Sequence, residues 1–272
     1  MATVFESGRV LVFPTRAMAV ALAVFAHPDD MEIVASGTLL RLQRVGYEIH
    51  CLAVANGCCG SSVNGREETV SVRRAEAQEA CRLAGFTRHE SLVNDVEVFY
   101  ERGTLARVAA LVRRVAPDIL LTHSPSDYME DHETACRLAV SAAFVRGMRN
   151  LPTDPPTPAV GGPVTVYHAQ PHGNRDPLGA AVRPTHFVDV GGEVLEQKTA
   201  MLACHRSQQQ WLDESQGFAS YLETMRGLMR EVGEWSGRFA HAEGWRRRLT
   251  LGFCAPDADP LATALASSCL RT

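Results

Sequence analysis

Residues 17–33 read AMAVALAVFAHPDDMEI. An apolar run from Ala17 to Ala26 ends abruptly in one imidazole and two adjacent carboxylates, His27-Pro28-Asp29-Asp30. With Arg9 and Arg16 ahead of it, the run mimics the apolar core of a secretory signal. It is too short to span a bilayer. It also enters the charged tetrapeptide directly, with no small-residue cleavage site and mature polar segment after it. We read it as a central buried strand. No other stretch is long and apolar enough for a transmembrane helix, so stable membrane insertion is not expected.

Outward from this strand, apolar runs alternate with helical patterns. Met31–Val45 has helical spacing and stops at Gly46. Tyr47–Ala55 reads as a second strand, followed by the turn-rich loop NGCCGSSVNG. Arg66–Leu83 is a long charged amphipathic helix ended by Gly85, and His89–Val93 a short strand. Thr104–Val115 is a helix stopped at Pro117, Asp118–Thr122 a strand ending at His123, and Asp131–Met148 a helix. This alternation predicts an α/β fold: a Rossmann-like, doubly wound, mostly parallel sheet with helices on both faces and a C-terminal extension. Ligands of such sheets gather outside the carboxyl ends of the strands, where His27 and His123 both fall. The Pro/Gly-rich residues 150–163 mark the best boundary. Residues 1–150 then form a Rossmann-like core carrying the site, and 151–272 the C-terminal part of the same domain, completing sheet and pocket. The second part is expected to hold strands at Val164–Ala169 and His186–Val190 and helices over Glu193–His205 and much of 207–231. A loop and a small helix follow Ala255.

The chain has 272 residues, 46% hydrophobic and 21% charged, enough for a sizeable core. A net charge of −4 argues against a nucleic-acid partner, and the Arg246-Arg247-Arg248 cluster reads as a solvated face. None of the eight cysteines forms a C-x-x-C pair. A reduced, cytoplasmic setting is expected. Cys58-Cys59 stands in a polar loop and Cys81 and Cys136 in helical patterns, all read as free thiols. Trp211, Trp235 and Trp245 fit either a core or the interface of a homo-oligomer.

Two readings compete for His27-Pro28-Asp29-Asp30. Asp29 with Glu32 has the form of a capping box for the helix that follows, with His27 a satisfied strand-end residue. A second cluster shifts the balance. Residues 123–132, HSPSDYMEDH, follow strand DILLT and open the next helix, so two strand ends of one sheet each carry His and Asp. One imidazole and one carboxylate from the first cluster, with one imidazole from the second, make a three-ligand site. Three protein ligands plus water is the pattern of a catalytic zinc. The spare carboxylate can then take a proton from the water, and Asp131 beside His132 can orient a ligand from behind.

These residues carry a family resemblance. AHPDDME resembles the A/P-H-P-D-D-E motif of the LmbE-like (PIG-L) metal-dependent de-N-acetylases, with the glutamate one residue later. Asp127-Tyr128-Met129-Glu130-Asp131-His132 resembles that family's D-Y-H-P-D-H motif. Arg73-x-x-Glu76, on a helix ending in LAG, resembles its R-x-x-E…LG segment. The likeness covers roughly residues 17–145. Beyond it, FVDV at 187–190, then a glutamate, a lysine and HRSQ at 205–208, is similar to some members. The resemblance implies a Zn2+ cofactor, or another divalent ion, held by His27, Asp30 and His132. It implies Asp29 as general base and Arg73 as a substrate-contacting arginine. The implied reaction is hydrolysis of the N-acetyl amide of a small molecule, most plausibly an amino-sugar conjugate.

One departure matters. Where this chain has Met129 the family often has a histidine, thought to polarise the carbonyl or protonate the leaving amine. Methionine can do neither. Another histidine substitutes, or Asp29 also returns the proton, or the activity is weak or altered. His123, His168, His172 and His205 are the candidate substitutes: His168 and His205 as catalytic groups, His172 reaching the same sheet edge as a substrate contact. The alternatives are a metal hydrolase for another amide or an ester, and a weak metal- or sugar-binding homologue. A nucleotide-binding module is disfavoured, because no G-x-G-x-x-G follows the first strand. A serine hydrolase is disfavoured because no G-x-S-x-G elbow is present. Ser36-Gly37 reads instead as a close-packing position.

Overall fold

The apolar run becomes the middle of a sheet. Residues 5–6, 9–10, 18–209, 211 and 221–272 are described by this computed structural model. Phe5–Glu6 (β1) and Arg9–Val10 (β2) form a small antiparallel pair. Val20–Phe25 is β3, buried at all six positions. It pairs in parallel with β4 (Glu48–Ala53) on one side and β6 (Ile119–Thr122) on the other. β5 (Thr87–His89) lies beyond β4 and β7 (Thr165–Ala169) beyond β6, both parallel. β9 (Ala242–Arg247), β8 (His186–Asp189) and β10 (Cys269–Arg271) extend the sheet by antiparallel pairing. The order is β10-β8-β9-β7-β6-β3-β4-β5. The chain winds outward from β3 to β5, then crosses back to β6. Ligands of such sheets bind where the strand order reverses, here outside the carboxyl ends of β3 and β6.

Side chains alternate across the sheet, so β3 feeds two cores. Ala21, Ala23 and Phe25 join the layer of α1 (Asp30–Val34), α2 (Ser36–Arg44), α3 (Arg66–Ala84), α6 (Glu193–Leu202) and α7 (Tyr221–Ser236). Val20, Leu22 and Val24 join the layer of α4 (Arg102–Val115) and α5 (Glu130–Val145). The doubly wound α/β architecture read from the strand–helix alternation is the one observed. Among the described residues, no helix is long and apolar enough to cross a membrane.

Five local expectations need correction. The strand expected at His89–Val93 lies earlier, at Thr87–His89, and Val93 makes only an isolated bridge to Ala55. The arginine cluster is not a solvated face. Arg246 and Arg247 end β9, Arg246 donates to Ser124 Oγ at 2.8 Å, and Arg247 donates to the Ala258 carbonyl. After α8 (Pro260–Ala264) the tail adds an edge strand, β10. Of the helix expected within 207–231, α7 covers Tyr221 onward and continues to Ser236, while residues 210 and 212–220 lie outside the described residues. Trp245 is wholly buried and donates to Thr38 Oγ1 at 2.8 Å, which makes it core.

The fifth correction concerns Met31–Val45, which is two helices broken at Ala35. The break has an electrostatic cause. Glu243 on β9 is fully buried, and its carboxylate accepts from the N–H groups of Gly37 (2.9 Å) and Thr38 (2.7 Å). It thereby caps the exposed N-terminus of α2. Lys198 of α6, also fully buried, donates to Glu243 at 2.6 Å and to the carbonyls of Glu32 and Ile33 at the end of α1. A Cβ at Gly37 would strike Val190 and the Glu243 carboxylate, so the close-packing reading of this glycine holds. The pair aims α1, and with it the residues after β3. Removing Lys198 leaves a buried carboxylate without its cation, so Lys198→Met is expected to cost about 3–5 kcal/mol, measured by urea unfolding.

Candidate metal centre

The chain leaves β3 through Ala26 and His27 and turns sharply at Asp29, whose φ of 118° is rare for a residue with a Cβ. Asp29 occupies the N-cap position of α1 but makes no capping hydrogen bond. The helix-cap reading therefore fails. The turn presents Asp30 instead, whose Oδ2 accepts from the His27 backbone N–H at 2.6 Å.

His27, Asp30 and His132 converge, with ligand atoms all within 4.8 Å of one another. Asp30 Oδ2 lies 3.4 Å from His27 Nδ1, and Oδ1 lies 3.4 Å from His132 Nε2. Two ligands bonded at about 2.1 Å to one tetrahedral ion sit about 3.4 Å apart. Two imidazoles and one carboxylate are a donor set for zinc or a similar divalent ion, so the residues present fit the group.

The far side of each imidazole is held by an acid, the arrangement that fixes a ligand's ring and tautomer. His27 Nε2 meets Asp131 Oδ2 at 3.0 Å, and His132 Nδ1 meets Asp127 Oδ1 at 2.9 Å. Asp131 also accepts from Val96 N–H at 2.8 Å. Burial lowers the proton affinity of His27, but Asp131 and Asp30 more than reverse this and raise it to about 9. His132 is likewise lowered by burial and lifted by Asp30 and Asp127, to about 10. Burial raises the Asp30 carboxyl, yet His132, His123 and His27 hold it well below the usual carboxylate range. The cluster as a whole favours added positive charge.

Asp29 stands apart from the trio. Its Oδ1 pairs with Arg73 Nη2 at 3.1 Å, and its Oδ2 accepts from Tyr221 O–H at 2.6 Å. Burial pushes its proton affinity up; Arg73 and Tyr221 oppose this without cancelling it. Arg73 also donates to the Pro28 carbonyl. Room for its buried guanidinium comes from the loop after β4. A Cβ at Gly57, already at φ +81°, would lie 2.6 Å from Arg73 Cδ, and one at Gly60 2.8 Å from Nη1. The HRSQ segment closes the back of this layer. Ser207 Oγ donates to Glu76 at 2.6 Å, and Gln208 Nε2 to the Gly60 carbonyl at 2.8 Å.

The four candidate histidines separate. His123 Nε2 accepts Ala26 N–H at 2.8 Å, and its ring stacks on His132 at 4.1 Å, so it braces a ligand. His168 lies behind it on β7: Nδ1 donates to the His123 carbonyl at 2.9 Å and Nε2 faces Arg248 at 3.4 Å. His205 is fully buried, with Nε2 3.5 Å from Glu32 Oε1. The backbone and a neighbouring side chain thus engage His168, and His205 is buried against Glu32. His172 alone borders the opening. Its ring lies 5.7 Å from that of exposed Tyr128, which meets His132 edge-on at 5.6 Å. Sequence reading missed Tyr221, 192 positions from Asp29 with no local pattern to mark it. It also missed Asp127 as the support of His132, although Asp127 stands within the quoted motif.

Residues 22–144 match the family model described as GlcNAc-PI de-N-acetylase, PIG-L. Over these residues the chain is similar to the PIG-L (LmbE-like) family. It is 29% identical to the 4-oxalmesaconate hydratase of Pseudomonas putida, over 82% of this chain and 87% of that protein. It is 26% identical to the diacetylchitobiose deacetylase of Thermococcus kodakarensis, over 69% of each. Among solved structures, the 4-carboxy-2-hydroxymuconate hydratase of Pseudomonas putida superposes with a TM-score of 0.72 and 24% identity, covering 89% of this chain and 99% of that one.

A divalent ion must displace the protons that His27 and His132 hold. Metal affinity is therefore expected to rise with pH toward 9–10, with proton release on binding, measured by calorimetry in buffers of different ionisation enthalpy. In metal-free protein both groups bind protons more tightly than in the unfolded chain. Their contribution to stability is full below pH 6.5 and is lost as pH rises through about 9 and 10, so the Tm of metal-free protein should fall over that range.

Proposed function

We propose that this chain is a divalent-metal-dependent deacylase that hydrolyses the N-acetyl amide of a small, amino-sugar-containing molecule. The observation that carries the reading is the division of labour between two adjacent aspartates. Asp30 faces both imidazoles, while Asp29 is held outside the trio with its proton affinity raised. A Zn2+ ion held by His27, Asp30 and His132 would supply Lewis-acid polarisation of water and of the acyl carbonyl.

The protein's own groups do the rest. Asp29 accepts the proton of the attacking water, and its raised proton affinity makes it a stronger base than an exposed carboxylate. Arg73 and Tyr221 fix the direction of its carboxylate. Asp131 and Asp127 keep the two imidazoles oriented. The leaving nitrogen takes the proton back from Asp29 as the carbon–nitrogen bond breaks, since Met129 has none to give. His172 and Tyr128 line the approach and contact the substrate.

A second reading is favoured by Met129 and by the similarity to a hydratase. The same water-activating centre could add water across a carbon–carbon double bond conjugated to a carboxylate, which needs no amine acid. The two readings separate by product. Acetate and a free amine from N-acetylated amino-sugar compounds support the first. A mass gain of one water, without acetate, from an unsaturated polycarboxylate supports the second.

Asp29→Asn should keep its metal, measured by elemental analysis, and lose about 10²–10⁴-fold in kcat. Full turnover in that variant would remove Asp29 as the base. His27→Ala and His132→Ala should each lose the metal, and one full equivalent retained in either would break the ligand set. Gly57→Ala should lower kcat with metal content unchanged, because the added methyl displaces Arg73.

A further inference from the structure

A second cluster of metal-binding side chains stands beside the Arg73 layer. The loop after β4 carries Cys58, buried, and Cys59, exposed, with their sulfurs 3.7 Å apart. Asp95, from the loop after β5, reaches the same place and accepts from Gly57 N–H at 2.6 Å and Cys59 N–H at 2.8 Å. The ligand atoms of Cys58, Cys59 and Asp95 all lie within 4.8 Å of one another. Two thiolates bonded at about 2.3 Å to one tetrahedral ion must sit about 3.8 Å apart, so the sulfurs already have the required separation. The carboxylate of Asp95 keeps free lone pairs after its two backbone bonds.

From this geometry we propose that Cys58, Cys59 and Asp95 form a second metal site, for a thiophilic divalent cation of the Zn2+/Cd2+ class. Binding releases one proton from each thiol as two metal–sulfur bonds form, and water completes the coordination. Sulfur ligands make this site softer than the His/Asp trio, so it prefers Cd2+ more strongly. Burial, Cys58 and Asp95 raise the Cys59 thiol. The consequence for the neighbouring site is mechanical. Gly57 and Gly60 back directly onto Arg73, so an ion on Cys58 and Cys59 stiffens the wall that holds the partner of Asp29.

The test is cadmium titration of protein already carrying one equivalent of zinc, followed by the ultraviolet sulfur-to-cadmium charge-transfer band. One equivalent of Cd2+ should saturate the band, and Cys58→Ser and Cys59→Ser should each abolish it. A band undiminished in both variants, or no band in the parent, overturns the proposal. The unmodified protein gives a check that needs no variant to fold. Cd2+ should slow alkylation of Cys59, mapped by peptide mass, on the order of tenfold or more, because a metal-bound thiolate is withdrawn from reaction. An unchanged alkylation rate overturns the assignment.

Discussion

One buried carboxylate organises this molecule's functional end. Asp30 accepts from the His27 backbone and lies within 3.4 Å of side-chain nitrogens of His27, His123 and His132. A carboxylate taken out of water needs compensating charge or hydrogen bonds. Here three imidazoles from two strand ends gather round it, and a divalent ion among them would supply the charge the cluster favours. Asp127 and Asp131 then serve the imidazoles, so the ligands' far sides are fixed before any ion arrives.

The neighbouring aspartate depends on a different kind of support. Asp29 sits at a strained φ and is aimed away from the trio, toward Arg73 and Tyr221. Strain of this kind persists only where the surroundings over-determine it. Here they do: Arg73 is packed against Gly57 and Gly60, Gln208 ties to Gly60, and the Lys198–Glu243 pair sets the direction of α1. Two residues adjacent in sequence thus have opposite electrostatics, one carboxyl held low by imidazoles and one pushed up by burial.

The relatives are named as a hydratase and as deacetylases, and this centre offers what either chemistry could use: a His/Asp trio able to hold a metal and a separate carboxylate beside a strand-order reversal. What distinguishes them is the supply of a proton to a leaving group. Met129 opens α5 where the family resemblance leads one to expect a histidine, and the neighbouring histidines differ in what they touch. His123 and His168 brace the ligands, His205 is sealed behind Glu32, and His172 stands at the opening.

The sequence by itself determined the architecture and brought two His/Asp clusters to one edge of it. Strand–helix alternation fixes a doubly wound sheet because strands buried on both faces read as unbroken apolar runs. Residues that follow such strands then gather along one edge, so the two His/Asp clusters were legible from their places, while the choice of His27, Asp30 and His132 within them rested on the family resemblance. Tertiary structure decided what periodicity does not encode. The break at Ala35 depends on a glutamate more than 200 positions away, β9 carries arginines that mimic a solvated run, and Tyr221 reaches Asp29 from a distant helix. Local pattern reports which face of an element is apolar; which distant charge or hydroxyl meets a buried group is set only when the layers pack.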